Sequence, residues 1–407
     1  MNEEVHPITS HPRAIYHHSS HTEKLIDGET ASVSPSRHRE NPSLPFPSHP
    51  DIPPGVENVA DLPFFGFKYV MVNLGELYKP ITDWFHSHPS PPLGIHRYIF
   101  SPTGALGLSI INSLCGYNDD DHADLISFPN IPNSPTFPWW HLAPKSYKYV
   151  KGEPTIEFVN DCLSATLVSW GVIINLFTEL DGVYYDHIKA EVGHDRVFEV
   201  GPLLLPSKYT TERGGSNTTS SDDVLSWLDT CAAKTVVFVS FGSQVVLSNK
   251  QMEEIALGLE NSGVKFLWVV KEPTGGHATG EYGNLPVGFE DRVAGWVPQV
   301  AILNHGSVGV LLSHCGWNSI MEALTAGVLV LTWPMSADNF ANALLLHDQK
   351  LGLKACEGVD TIPDSADLAR LFRKSACDEA HVERNRATKF ALAARAAVVE
   401  GGTSWID

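Results

Sequence analysis

Gly316 sits where an apolar run, Val308 to Ser313, gives way to a segment with helical spacing, and the residues around it are the ones in this sequence equipped for chemistry. A glycine at a strand-to-helix turn removes side-chain bulk, so the free N–H groups and positive dipole end of the helix start form a ready anion site. His314 beside it can donate a further hydrogen bond, and Ser243 and Ser319 can supply hydroxyls. A pyrophosphate is the guest such a set would hold, its charge balanced without a metal ion. Taken alone the signal is weak, since many α/β domains place a glycine at such a turn for geometry only.

The elements that must position these residues follow from the hydrophobic pattern. Thr235 to Ser240, Val264 to Val270 (apolar except Lys265), Val308 to Ser313 and Val328 to Thr332 read as buried strands. They alternate with helices: one opened by a capping box at Ser248 and Gln251 and ended at Gly263, then Asn318 to Ala326, then Asp338 to Gln349. Near-continuous apolar strands alternating with helices predict a parallel sheet covered on both faces, a Rossmann-like layout. Ligands of such sheets sit outside the carboxyl ends of the strands. Here those ends carry Ser240 to Ser243, Ser313 to Ser319 and Trp333 to Ser336, which would converge on one crevice.

The chain has 407 residues, 43% of them hydrophobic, enough for two domains. Residues 1–55, rich in His, Pro and Ser, read as a disordered tail. Residues 56–205 form the first domain, with a helix-like run from Lys68 to Phe85, a strand at Tyr98 to Ser101 with a helix after it, a strand at Val172 to Asn175, and a helix from Phe177 to Val192. A long Pro- and aromatic-rich connection, Asp119 to Pro144, reads as a binding loop. Residues 206–224 read as a linker and 225–407 as the second domain. With 28 Lys and Arg against 47 Asp and Glu, a formal charge of -19, a nucleic-acid partner is excluded. The six cysteines lack CxxC spacing, and the scattered histidines of the tail suit no common metal-ligand pattern. No apolar run approaches the ~20 residues of a membrane span, so a cytoplasmic location is expected.

Several further residues fall at fixed separations between 296 and 339: Trp296-Val297-Pro298-Gln299, the run His314-Cys315-Gly316-Trp317-Asn318-Ser319, Glu322, Trp333-Pro334 and Asp338-Asn339. The pattern resembles the signature box of plant secondary-product glycosyltransferases, the family-1 enzymes with the GT-B fold. The resemblance extends through Phe241-Gly242-Ser243-Gln244, Ser226-Trp227-Leu228-Asp229, Phe289-Glu290-Asp291-Arg292 and Val200-Gly201-Pro202, and is nearest to the flavonoid-glycosylating branch. It implies two Rossmann-like domains facing a cleft, the N-terminal one incomplete here, with a UDP-sugar as donor, a small phenolic acceptor, no cofactor, no metal and a monomeric state. By position, Trp296 would stack on the uracil and Gln299 help hold it. Glu322 would accept hydrogen bonds from the ribose hydroxyls, and Ser243, His314, Asn318 and Ser319 would hold the diphosphate. Trp317, Asp338 and Asn339 would face the sugar.

The resemblance also implies a general-base His after the first strand and an Asp that orients it. Neither has a match in this sequence, because the text jumps from Gly94-Ile95 to Tyr98-Ile99-Phe100 and skips the strand that would carry the Asp. The catalytic residues are therefore unassigned. Two readings follow: a transferase moving a sugar, glucose by default, to a flavonoid-like hydroxyl, and a catalytically impaired UDP-sugar binder of the same family. A nicotinamide-dependent dehydrogenase is excluded for want of a GxGxxG fingerprint after a strand.

Overall fold

The computed structural model describes residues 67–87, 98–114, 124–142, 169–203, 221–271, 281–289, 293–294 and 297–406, with isolated positions between 47 and 162. Most of the tail read as residues 1–55, with all of its histidines, and nearly all of the linker lie outside the described residues; at the end of that stretch Ile52 is described and packs in an apolar cluster with Leu62 and Val70.

The first part of the chain contributes α1 (Phe67–Gly75), α2 (Tyr78–Ser87), β1 (Tyr98–Ser101), α3 (Ala105–Leu114), β2 (Leu125–Ser127), β3 (Thr136–Pro138), α4 (Trp139–Leu142), β4 (Gly171–Ile174), α5 (Thr178–Val192) and β5 (Val197–Glu199). Strands β1, β4 and β5 form a parallel three-stranded sheet, in that order. The second part contributes α6 (Ser221–Asp229), β6 (Val236–Ser240), α7 (Asn249–Ser262), β7 (Lys265–Val269), β8 (Val293–Ala294), α8 (Gln299–Leu303), β9 (Val308–Ser313), α9 (Trp317–Thr325), β10 (Leu329–Thr332), α10 (Asn339–Asp348), β11 (Gly352–Lys354), α11 (Ser365–Ala376), α12 (His381–Ala397) and α13 (Thr403–Ile406).

Its six strands run in the order β11-β10-β9-β6-β7-β8, all parallel. Every residue of β6, β9 and β10 is buried, which is why these strands are apolar throughout instead of alternating. Side chains leave the sheet on alternate faces. Val237, Val239, Val310 and Leu312 pack with Met252, Ile255 and Phe372 on one face. Phe238 and Leu311 face the other way, into an apolar cluster that continues through Ile320 and Leu324 to Leu106, Val172 and Ile174 of the first part. One continuous core thus joins both lobes. The helix α7 is closed as its sequence predicts: Ser248 and Gln251 form a reciprocal capping box, and Gly263 ends the helix at φ 70°.

Three segments differ from the sequence expectation. The run from Lys68 to Phe85 is two helices, broken by turn hydrogen bonds from Glu76 N to Asn73 O and from Leu77 N to Leu74 O. Apolar spacing that continues across a tight turn hides such a break. The segment Asp119 to Pro144, where described, is not a loop throughout. It holds the antiparallel pair β2–β3, whose turn puts Asn133 and Ser134 at positive φ, followed by the short α4. The sheet of the second part also has a strand absent from the sequence reading, the two-residue β8 against Trp268 and Val269.

Candidate active site at the switch point of the large sheet

Strand order reverses between β6 and β9, and in sheets of this kind the crevice at that switch point takes the ligand. The register places the strand ends level: Ser240 pairs with Ser313, and Ser313 with Thr332. The loops at 241–243, 314–316 and 333–338 therefore leave the sheet from one edge, as the sequence predicts.

At the centre, the His314 imidazole is wedged between two glycines. A Cβ on Gly242 would stand 2.6 Å from His314 Cε1, and one on Gly316 would stand 2.5 Å from His314 Nε2. Gly242 also needs its freedom for φ 72°, and Cys315 takes φ 68° as the chain turns into α9. Gly316 is the N-cap of α9 and has no side chain to satisfy the helix start; the first helical bond there is Ile320 N to Gly316 O. The N–H groups of the first turn are thus left for a guest. Desolvation pushes the His314 pKa down to about 4, so the ring is neutral at pH 7 and offers one N–H and one lone pair. A neutral donor beside an anion-binding helix start needs no proton bookkeeping when an anion enters. Ser243 is exposed in the loop after β6, and Asn318 is exposed in the first turn of α9.

One turn further along, Gln299 at the start of α8 meets Glu322 and Ser319 of α9. Its Nε2 donates to Glu322 Oε2 at 2.8 Å and to Ser319 Oγ at 3.1 Å, while its Oε1 accepts from Ser240 Oγ at 3.0 Å. Glu322 is therefore a half-buried acceptor held in place, not a solvated residue on the outer face of a helix.

Asp338 precedes α10, yet its side chain makes no capping bond. It accepts instead from Asn342 Nδ2 at 2.9 Å, and the same amide nitrogen donates to Cys315 O at 3.0 Å, tying two of the three loops together. Burial raises the Asp338 pKa, and its hydrogen-bond donors partly offset this. The hydroxyl of Thr103, from the other lobe, lies next to this carboxylate without reaching hydrogen-bond geometry. Asn339 is 6% exposed; with its amide turned so that nitrogen meets acceptors, it donates to Ser336 O at 2.9 Å and His314 O at 3.2 Å. Trp317 is 3% exposed, and its indole N–H donates to Asn175 O at 2.8 Å in the opposite lobe. The far edge of its ring covers Gly104, where a side chain would collide with it.

The structure thus brings Ser243, Gln299, His314, Trp317, Asn318, Ser319, Glu322, Asp338 and Asn339 to one edge of the sheet, and Trp296 lies outside the described residues. No group of three or more His, Cys, Asp or Glu able to hold a metal occurs among the described residues. No helix among them is long and apolar enough to cross a membrane.

Four participants escape the motif reading. Ser240 and Asn342 carried local signals: a polar residue closing an apolar strand, and a residue four positions after Asp338 on the same helix face. Thr103 and Asp181 come from the other lobe and had none. Asp181, 1% exposed, interrupts the helical geometry of α5 (φ -138°, ψ 15°) and accepts from Ala105 N at 2.5 Å and Leu106 N at 3.3 Å, closing the start of α3 beneath Trp317.

Comparison with known proteins agrees with this geometry. The family described as "UDP-glucoronosyl and UDP-glucosyl transferase" matches residues 202–366, the span holding the crevice residues of the large sheet. UDP-glycosyltransferase 89B2 of Stevia rebaudiana is 56% identical, covering 89% of this chain and 83% of its own length. Flavonol 3-O-glucosyltransferase of Arabidopsis thaliana is 46% identical, covering 89% and 82%. Among solved structures, Arabidopsis thaliana UGT89C1 complexed with UDP-L-rhamnose superposes with a TM-score of 0.71 at 31% identity, covering 89% of this chain and 82% of that one. Such identity over most of both chains, with a shared two-lobed α/β fold, establishes kinship: this chain belongs to the plant UDP-glycosyltransferase family and has its GT-B fold.

Proposed function

We propose that this protein transfers glucose from UDP-glucose to a hydroxyl of a flavonoid-like phenol, with inversion at the anomeric carbon and without a metal ion. The observation that carries the reading is the pairing of a bare helix start at Gly316 with the Gln299–Glu322–Ser319 cluster at the switch point of the sheet. The helix start and the serine hydroxyls meet the diphosphate, and the Glu322 carboxylate accepts from ribose hydroxyls, with Trp296 stacked on the uracil. Ser243, His314 and Asn318 complete the diphosphate shell, and Trp317, Asp338 and Asn339 line the sugar end.

In the reaction the acceptor oxygen attacks the anomeric carbon, the bond from that carbon to the phosphate oxygen breaks, and UDP leaves with the electron pair. The developing charge falls on the diphosphate, where the N–H groups of α9 stabilise it. The acceptor proton must pass to a base. The flavonoid acceptor is supported by the Arabidopsis relative described as a flavonol 3-O-glucosyltransferase and by the complex of UGT89C1 with quercetin. Division into an acceptor-side domain (56–205) and a UDP-sugar-binding domain (225–407), a monomeric state and a cytoplasmic location belong to the same proposal.

A second reading is a UDP-sugar binder with impaired turnover. His141, a histidine that α4 brings to the lobe interface, is engaged with Glu357 Oε1 at 2.9 Å and stacked on Phe340, so it is not free to serve an acceptor. Losing a general base costs about 10²- to 10⁴-fold in rate. Incubation of the purified protein with UDP-glucose and quercetin, followed by chromatography, separates the two. Glucoside formation at an ordinary transferase rate supports transfer, and formation slower by about that factor supports the impaired binder. Tight UDP binding with no product supports the impaired binder.

A further inference from the structure

We infer that Ser240 is a positioning residue for the nucleotide-sugar donor, acting by anchoring the Gln299 amide in the orientation that the Glu322 carboxylate demands; this rests on the donor-site reading above. The chemistry of the contacts dictates the orientation. A carboxylate at neutral pH only accepts, so the group that Gln299 places 2.8 Å from Glu322 Oε2 must be its NH₂. The amide oxygen then points the other way and needs a donor, which is the Ser240 hydroxyl at 3.0 Å. Ser240 can serve because it ends β6, level with Ser313 of β9, and is 7% exposed, where an unbonded hydroxyl or amide oxygen would be costly.

The relay has two outputs. The NH₂ of Gln299 holds in place the Glu322 carboxylate that meets the ribose on the donor-site reading. It also donates to Ser319 Oγ at 3.1 Å. Ser319 accepts in that bond, so its own proton remains free to donate to an anion at the start of α9. A single serine, outside the motif and not a donor contact itself, thereby steadies both the ribose and the phosphate contacts. Without its hydroxyl, the Gln299 oxygen is left unpaired in a buried position, and the amide, still turned by the carboxylate, loses the second anchor that holds its NH₂ on Glu322 and Ser319 at once.

Calorimetric titration of UDP and 2′-deoxy-UDP into wild-type, Ser240→Ala, Ser240→Cys, Gln299→Ala and the Ser240→Ala/Gln299→Ala double variant tests this, with unfolding midpoints recorded for each. The expected result is about tenfold weaker UDP binding in Ser240→Ala. The preference for UDP over its 2′-deoxy analogue should fall in parallel, because the ribose carboxylate has lost its support. In the Gln299→Ala background the serine substitution should have no further effect. Ser240→Cys, which keeps the volume and a weak donor, should lie between, and stands in if the alanine variant unfolds. UDP binding and ribose discrimination unchanged in a folded Ser240 variant, or a full Ser240→Ala effect persisting without Gln299, overturns the relay while leaving the donor site standing. Absence of UDP binding by folded wild-type protein overturns the donor-site reading and the relay with it.

Discussion

The two sheets of this molecule hold their functional residues in different ways. In the six-stranded sheet, β6, β9 and β10 are buried at every position, and the residues of the crevice come from three loops in register on one edge. In the three-stranded sheet, the edge strand β1 is exposed at Tyr98, and the contributions to the crevice come from scattered points: Thr103 and Gly104 ahead of α3, Asn175 after β4, and Asp181 inside α5. The difference teaches where robustness lies. A donor site built mostly from one sequence window on three fully buried strands depends little on the other lobe. The lobe-to-lobe contacts depend on single residues far apart in sequence, such as Asn175 and Trp317, and each can be broken alone.

The largest break expected is on the buried side. Gly242→Val puts a branched side chain at φ 72° and against His314, a combined strain and overpacking cost of about 3–5 kcal/mol. UDP binding measured by calorimetry should fall more than about 100-fold, and near-native affinity would show that the His314 wedge is not part of the site.

On the other side, Asp181→Asn should stabilise the protein, and more so as pH rises. Burial raises the Asp181 pKa from 3.8 to about 7, against the smaller opposing effect of the Leu106 and Ala105 N–H groups. The folded state therefore binds a proton more readily than the unfolded chain, and stability falls as pH rises from about 4 to about 7. Asparagine keeps an acceptor for Ala105 without a charge. Urea midpoints should show a gain of about 2–4 kcal/mol at pH 8 that shrinks toward pH 5. An equal effect at both values would mean that Asp181 does not carry the buried charge.

Trp317→Phe leaves Asn175 O without its donor and removes the far ring edge that covers Gly104, a combined loss of about 2–3 kcal/mol. Hydrogen exchange should report it as faster opening around β4 and α9, with UDP affinity nearly unchanged. The smallest effect is expected for Glu357→Gln. Burial lowers the His141 pKa more than Glu357 raises it, so the pair meets at pH 7 as a neutral imidazole and a carboxylate acceptor. Glutamine supplies a carbonyl in place of that acceptor, and a thermal scan should show a change of about 0.5 kcal/mol or less. A large loss would reveal a true ion pair between the lobes.

What was legible in the sequence follows the same division. The four strands and three helices read in the second lobe match within a residue or two, because full burial writes continuous apolar runs and Ser248, Gly263 and Gly316 mark helix ends, whereas β8, β11, α6, α8 and the C-terminal helices were not read. The site residues were readable because all but Ser243 sit in one window. In the first lobe, the break between α1 and α2 and the β2–β3 pair were not, since short elements held by turn geometry leave little periodicity. The roles of Thr103 and Asp181 were beyond reach because only tertiary packing brings them to Asp338 and Trp317. Ser240 looked like the end of a strand, and only its position opposite the Gln299 oxygen gives it a task.

The central claim, that the switch-point crevice of the large sheet binds a UDP-sugar, is tested most directly by calorimetric titration of UDP into the wild-type protein and Glu322→Ala. The account predicts one site per chain in the wild type and an affinity about 10- to 100-fold weaker in the variant, the loss expected when hydrogen bonds to a carboxylate are removed. UDP binding of equal strength to both proteins, or none to folded wild-type protein, would contradict it.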